Sequence, residues 1–169
     1  MPIIETERLR LDEFSPDDAD FILALVNEPG FHRFIGDRGV RSPADARHYL
    51  ADRVIPSYSR NGFGLWRVAL KEGLLPVGMC GLLKRDFLDD VDIGYALLET
   101  AQGHGYAEEA ARATLEYARQ PLGLSRIVAV ISPDNVRSLR LATRLGFAFQ
   151  SAMTWPDGGD DVHLYARPL

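Results

Sequence analysis

The sequence predicts an α/β (α+β) fold on one mixed, mostly antiparallel sheet of about seven strands, with four helices and one parallel crossover. Three observations predict it. Residues 91–132 read as strand, glycine-rich turn, amphipathic helix and strand, which is a crossover unit. Residues 63–84 and 147–167 each hold two β-type runs joined by a short turn. Cap signals at Ser15, Ser42 and Asn135 open helices between the strands.

The elements follow in order. Residues 8–14 alternate polar and apolar side chains, the period of a half-buried strand. Ser15-Pro16-Asp17-Asp18 then supplies a cap, a proline for the first helical position and acids for the first turn, so a helix is expected over 16–27. Residues 29–41, rich in Gly and aromatics, read as a loop before Ser42-Pro43-Ala44-Asp45 opens a second helix reaching about residue 58. The runs 63–70 and 77–84 form a hairpin across Lys71-Glu72-Gly73, with Pro76 at a strand start. A further strand covers 91–98. From Ala107 onward Ala110, Ala111, Leu115 and Ala118 recur at helical spacing, with Glu108, Arg112 and Glu116 outside, until Pro121-Leu122-Gly123 ends the helix. Residues 126–132 are a continuous apolar run, as a buried parallel strand requires. Asn135 starts a last helix that Gly146 stops, and 147–154 and 162–167 close the chain as a hairpin over Pro156-Asp157-Gly158-Gly159.

At 169 residues the chain has the length of one domain, so residues 1–169 are read as a single unit burying roughly 70% of its unfolded surface. Hydrophobic residues make up 46%, yet no apolar run reaches the ~18 residues of a membrane span. The N-terminus carries acids in place of a basic leader, and the single Cys80 lies in an apolar run where a packed thiol is expected, so the cytoplasm fits best. A net charge of −5 disfavours a general nucleic-acid binder and makes a cationic partner easier to accept. His32, His48 and His163 have no ligand spacing with Cys or carboxylates, so no metal is expected.

Chemistry concentrates in Gln102-Gly103-His104-Gly105-Tyr106-Ala107. Glycines at 103 and 105 let a ligand approach the backbone, and the following helix aims its free first-turn N–H groups and positive dipole end at that spot. A diphosphate suits it, although two glycines before a helix also fit a purely steric turn. His104 between the glycines carries less fixed charge at neutral pH than Arg or Lys, so such a grip leans on backbone amides. In the last helix Arg137, Arg140 and Arg144 share one stripe, either a solvated face or the anchor of an anionic ligand.

The element order and four motifs together resemble the GNAT acetyltransferase superfamily across essentially the whole chain. Gln102 to Ala107 is similar to that family's pyrophosphate-binding loop. Asn135-Val136-Arg137-Ser138 with Arg144-Leu145-Gly146-Phe147 is similar to its Asn-x-x-Ser and Lys-x-Gly-Phe segment. Thr6-Glu7-Arg8-Leu9-Arg10-Leu11 and Asp92-Ile93-Gly94-Tyr95 resemble the branch that acetylates ribosomal-protein N-termini.

The resemblance implies an N-acetyltransferase moving an acetyl group from acetyl-CoA directly to a primary amine, a protein N-terminus or a small molecule, in a monomer or homodimer. It implies that Gln102, Gly103, His104, Gly105, Tyr106 and Ala107 hold the coenzyme A diphosphate, with Asn135, Ser138 and Arg144 further along it. A backbone N–H among Ala96, Leu97 and Leu98 is implied for the oxyanion. Asp92 is the favoured general base, directly or through a water, with Glu99 as second choice, and Ser138 the hydroxyl for the departing thiolate. One departure stands out. Many relatives carry a tyrosine four residues before the Gly-Phe pair, where this chain has Ala142. That leaves open a coenzyme A binding module without chemistry. A dinucleotide-binding oxidoreductase is disfavoured, because one fingerprint glycine and the acid that follows it are missing.

Weaker candidates complete the reading. Phe31, His32 and Phe34 in the first long loop, and His163 with Tyr165 on one face of the last strand, either shape an acceptor site or pack. Trp66 is read as core. Asp157, Asp160 and Asp161 are a solvated turn or an attraction for a cationic acceptor.

Overall fold

The computed structural model describes residues 2–169. The chain begins with β1 (Ile4–Glu5) and β2 (Leu9–Glu13), then α1 (Ala19–Val26) and α2 (Pro29–Phe34). Next, α3 (Pro43–Tyr49) continues through a π turn (Leu50–Val54) into α4 (Pro56–Asn61). There follow β3 (Leu65–Leu70), β4 (Pro76–Leu83), β5 (Asp92–Leu97), α5 (Tyr106–Arg119), β6 (Arg126–Ile131), α6 (Val136–Arg144), β7 (Ala148–Thr154) and β8 (Asp161–Pro168). All eight strands join one sheet in the order β1-β2-β3-β4-β5-β6-β8-β7, antiparallel throughout except for the β5–β6 pair.

The sheet thus has eight strands where about seven were expected, because β1 adds a two-residue edge opposite Arg10 and Leu11. A two-residue strand carries no alternation that a sequence pattern reveals. The expected loop over 29–41 also holds a short helix. Pro29 occupies its first turn and Phe31 anchors it in the core, but six residues are too few to display a helical period. Within the long second helix, Ile55 N–H reaches Leu50 C=O in the π turn. The cause is Pro56, which has no N–H to give and whose ring would press on the preceding turn of a regular helix.

Side chains divide by sheet face. Cross-strand partners share a face, so Cys80 with Tyr95 and Leu82 with Ile93 lie on one side, and Met79 with Ala96 and Leu83 with Asp92 on the other. The first side packs against α5, whose Ala110, Ala111, Leu115 and Ala118 stripe is buried as the spacing predicts. Truncating Leu115 to Ala there would cost about 2–5 kcal/mol. Trp66 is fully buried in the same cluster and meets Tyr117 of α5 edge to face at 5.3 Å, so it is core. The opposite side is covered by α1 and α3 through Ile22, Leu25 and Ala46, with Met79 beneath them.

Candidate functional site

The parallel pair at the centre of the sheet opens into a slot. β5 is registered along its whole length with β4, but with β6 it has one registered pair, Asp92 opposite Val128. Val128 N–H donates to Val91 C=O at 3.1 Å, closing that end. Beyond it the strands part, and the slot leads to the glycine loop at the C-terminal end of β5. The Leu98 N–H is already given to Val77 C=O at 2.9 Å. Leu98 therefore cannot supply the free amide expected of 96–98, and neither can Ala96, whose N–H turns to β4 opposite Met79 by the alternation of the ladder, so Leu97, turned toward β6, remains.

Gly103 and Gly105 both take left-handed conformations, with φ of +80° and +81°. Side chains adopt these rarely, which is why glycine stands at both. A Cβ built on Gly103 meets no atom within 4 Å, so open space lies against the loop. Gly105 is the N-cap of α5 and has no side chain to cap with, and the first helical bond runs from Glu109 N–H to Gly105 C=O at 3.1 Å. The N–H groups of Tyr106, Ala107 and Glu108 precede that bond and have no intrahelical acceptor, leaving an anion-ready helix start.

Two acids in the first turn of α5 would oppose an anion, and both are neutralised. Glu109 accepts from Thr6 Oγ1 at 2.6 Å, from Arg8 N–H at 2.9 Å and from Arg8 Nε at 2.7 Å. Burial alone would raise its pKa, but these bonds and the Arg8 charge hold the carboxyl below its usual range. Glu108 accepts from Arg112 at 3.1 Å and from Arg144 at 3.2 Å. Arg8 does more than neutralise. Its Nη1 donates to the His104 C=O at 2.8 Å and its guanidinium lies 4.7 Å above the Tyr106 ring, which stacks on His104. His104 itself turns Nδ1 toward Ala101 C=O at 3.2 Å. The guanidinium that offsets Glu109 and braces the loop thus comes from the turn between β1 and β2.

Helix α6 borders the other side of the slot. Asn135 caps it, accepting from Ser138 N–H at 3.3 Å and donating through Nδ2 to Ser138 Oγ at 3.1 Å. Arg137 Nη1 donates to Gln102 Oε1, joining the helix start to the glycine loop. Val136, Leu139, Arg140, Thr143 and Arg144 line an open groove of about 350 Å³ along the helix, apolar along its floor with arginines on its rim. Arg144 therefore lies at the groove while its Nε is held by Glu108.

Asp92 sits at the closed end of the slot with 2% of its surface exposed, and both carboxylate oxygens accept from Arg85 Nε, at 3.1 and 3.3 Å. Burial pushes its pKa up to about 6, with Arg85 pulling in the other direction. Arg85 in turn lies 5.3 Å from the Trp155 ring, and Trp155 meets Phe87 edge to face at 5.4 Å. Tyr95, three residues along β5, faces the opposite side. Its hydroxyl is buried without a hydrogen-bond partner among the described residues. So Asp92 and Ser138 stand on opposite faces of the sheet, one on either side of the slot.

Glu99 is exposed in a 3-10 turn, Glu99–Ala101, and makes no side-chain bond among the described residues. His163 and Tyr165 form a cluster with the half-exposed Phe149, at ring distances of 5.2 and 5.8 Å from it. In α2, Phe31 is core, His32 meets Asn27 at 3.1 Å, and Arg33 reaches Asp134 at 3.6 Å beside the α6 cap. Asp157 and Asp160 are exposed, and Asp161 bonds Thr154 at the hairpin base. No cluster of three or more His, Cys, Asp or Glu placed to hold a metal occurs among the described residues. No described helix is long and apolar enough to cross a membrane. Sequence reasoning missed Arg8, Arg85 and Tyr95 as parts of the site. Arg8 and Tyr95 both stand in motifs that carry the family resemblance, and the alternation of β5 puts Tyr95 on the face opposite Asp92.

Known proteins match this chain on both sequence and fold. The family model for the acetyltransferase (GNAT) domain matches residues 8–148. The uncharacterized N-acetyltransferase YoaA of Bacillus subtilis is 30% identical over 148 residues, covering 86% of this chain and 82% of YoaA. The ribosomal-protein-serine acetyltransferase of Escherichia coli is 30% identical over 133 residues, covering 76% of this chain and 73% of its own. In fold, the ribosomal alpha-N-protein acetyltransferase RimL in complex with coenzyme A superposes with a TM-score of 0.85 at 20% identity, over 100% of this chain and 98% of RimL. With its split parallel pair, its glycine loop at a helix start and a family match over most of its length, the chain belongs to the GNAT acetyltransferase family.

Proposed function

We propose that the protein is an N-acetyltransferase that moves an acetyl group from acetyl-CoA directly to a primary amine, a protein N-terminus or a small molecule, in the cytoplasm. The observation that carries the reading is the glycine loop opening onto the slot between β5 and β6. The residues fit coenzyme A in three respects. Space lies open against Gly103, the α5 start offers unclaimed N–H groups, and the Tyr95 hydroxyl waits without a partner on the slot's rear side. When bound, acetyl-CoA supplies a thioester, whose carbonyl carbon accepts the amine.

The chain's own groups then have separable tasks. The loop amides, Gln102 and the Arg8-braced backbone of His104 hold the diphosphate, and Arg140 and Arg144 flank the groove where an adenosine phosphate would lie. The amide of Leu97, which faces the slot, stabilises the charge that develops on the carbonyl oxygen. Asp92, ionised above about pH 6, takes the amine's proton, directly or through a water, from the α1–α3 face. Ser138 serves the departing sulfur from the α6 face. The E. coli ribosomal-protein-serine acetyltransferase among the relatives supports a protein as acceptor.

A coenzyme-binding module without chemistry is the second reading, favoured by Ala142, which leaves α6 without a phenol one turn after Ser138. Free-thiol release from acetyl-CoA, measured against peptides with varied N-termini, polyamines and aminoglycosides, separates the two. Acceptor-dependent release on at least one amine is expected. Coenzyme binding with no such release on any amine would favour the module.

A further inference from the structure

Tyr95 enters the reading above only as an unpaired hydroxyl at the slot's rear side, with no step assigned to it. Its ring leaves β5 on the side facing α5 and α6, opposite Cys80 in register, and packs against the cluster that holds Leu141 and Ala142. The hydroxyl oxygen is buried with no partner among the described residues. An unpaired buried hydroxyl is a cost that phenylalanine at the same place would not carry. The Ser138 hydroxyl faces Tyr95 closely enough to influence its titration, yet the two do not meet hydrogen-bonding geometry. Ser138 Oγ is oriented by Asn135 Nδ2 at 3.1 Å, which fills one acceptor site and leaves the serine's own proton free to point elsewhere. Two hydroxyls from different elements thus converge on the rear of the slot, each with an uncommitted proton.

Resting on the acetyl-transfer reading, we propose that the Tyr95 hydroxyl, together with that of Ser138, forms a two-donor cradle for the sulfur of the departing coenzyme thiolate. As the carbon–sulfur bond breaks, its electron pair stays on sulfur, and both O–H groups donate hydrogen bonds to the new charge. Neither hydroxyl gives up its proton, and the thiolate is protonated by solvent after it leaves. Burial raises the Tyr95 pKa above that of an ordinary phenol, so it stays a donor throughout the working pH range. Ala142, buried in the cluster that Tyr95 packs against, offers no competing hydroxyl. The role also accounts for a hydroxyl at a place where no described residue bonds it.

The test compares the wild type with Tyr95→Phe and Ser138→Ala, using coenzyme A and desulfo-coenzyme A in calorimetry at about pH 9, where the thiol is largely ionised. Tyr95→Phe should melt at or above the wild-type temperature without ligand and bind desulfo-coenzyme A as the wild type does. It should lose about 10-fold in affinity for coenzyme A itself, and its kcat should fall about 10- to 100-fold at unchanged KM. Ser138→Ala should shift the same two quantities in the same direction. A Tyr95→Phe variant that keeps the wild-type preference for the thiol over the desulfo compound overturns the proposal, and so does one that melts lower with kcat unchanged. A wild type that binds neither compound is a different result: it removes the coenzyme reading itself.

Discussion

Arg8 Nη1 donates to the carbonyl oxygen of His104 at 2.8 Å, tying the turn before the second strand to a loop 96 residues further along the chain. The same guanidinium neutralises Glu109 and lies over Tyr106, so one side chain sets the loop's shape and removes the negative charge beside it. The pair with Glu109 is partly exposed and worth about 1 kcal/mol to stability. Its larger effect falls on the ligand. Arg8→Gln should raise the KM for acetyl-CoA about 10-fold with kcat nearly unchanged, as expected for a lost contact that braces binding in ground and transition states alike. Steady-state kinetics with acetyl-CoA varied at saturating amine checks it, and an unchanged KM counts against the brace.

Gly103 separates backbone strain from obstruction. Its φ of +80° disfavours any side chain, but a Cβ there touches nothing within 4 Å. Gly103→Ala should therefore cost only about 1–2 kcal/mol in denaturant unfolding. If ligand occupies the space beside the loop, coenzyme affinity should fall by more than that strain explains. Equal affinity in the variant would show that the open space is not the binding surface.

Asp92 sets the pH behaviour. Its pKa is raised to about 6, so the carboxylate is protonated below that value and a base above it, and turnover should climb along an acidic limb near pH 6. Asp92→Asn should remove that limb and lower kcat by roughly 10²–10⁴. Arg85 holds the value down against burial, so Arg85→Gln should move the limb to higher pH. A limb that stays in place in the Arg85 variant would mean that another group titrates there.

Cys80 is buried against Thr114, its sulfur 3.4 Å from the hydroxyl, and burial pushes its pKa up to about 12. It is therefore neither a nucleophile nor a redox handle. A thiol reagent at neutral pH should modify the folded protein only after denaturant is added. Rapid labelling of the native protein would contradict this burial.

Glycine placement, helix caps and apolar periods are local, and they made the loop, α5 and the parallel crossover legible in the sequence. The same rules fail where structure depends on distant partners or on short elements. Phe31 fixes α2 by burial, and β1 exists because β2 offers an edge, neither of which leaves a periodic trace. Arg8 and Arg85 act on groups brought to them by the sheet, so their roles follow from topology. Leu98 was a reasonable amide donor by position, and only its bond to Val77 shows that the group is taken.

The central claim is that the Gln102–Ala107 loop and the slot beside it hold coenzyme A. Calorimetric titration of coenzyme A into the wild type and into Gly105→Val tests it most directly. At Gly105 the backbone is left-handed, and a Cβ would already stand 3.3 Å from Arg8 Nη2. Saturable one-to-one binding to the wild type, lost in a Gly105→Val variant that remains folded by circular dichroism, is the predicted result. Equal affinity in both proteins would contradict the claim.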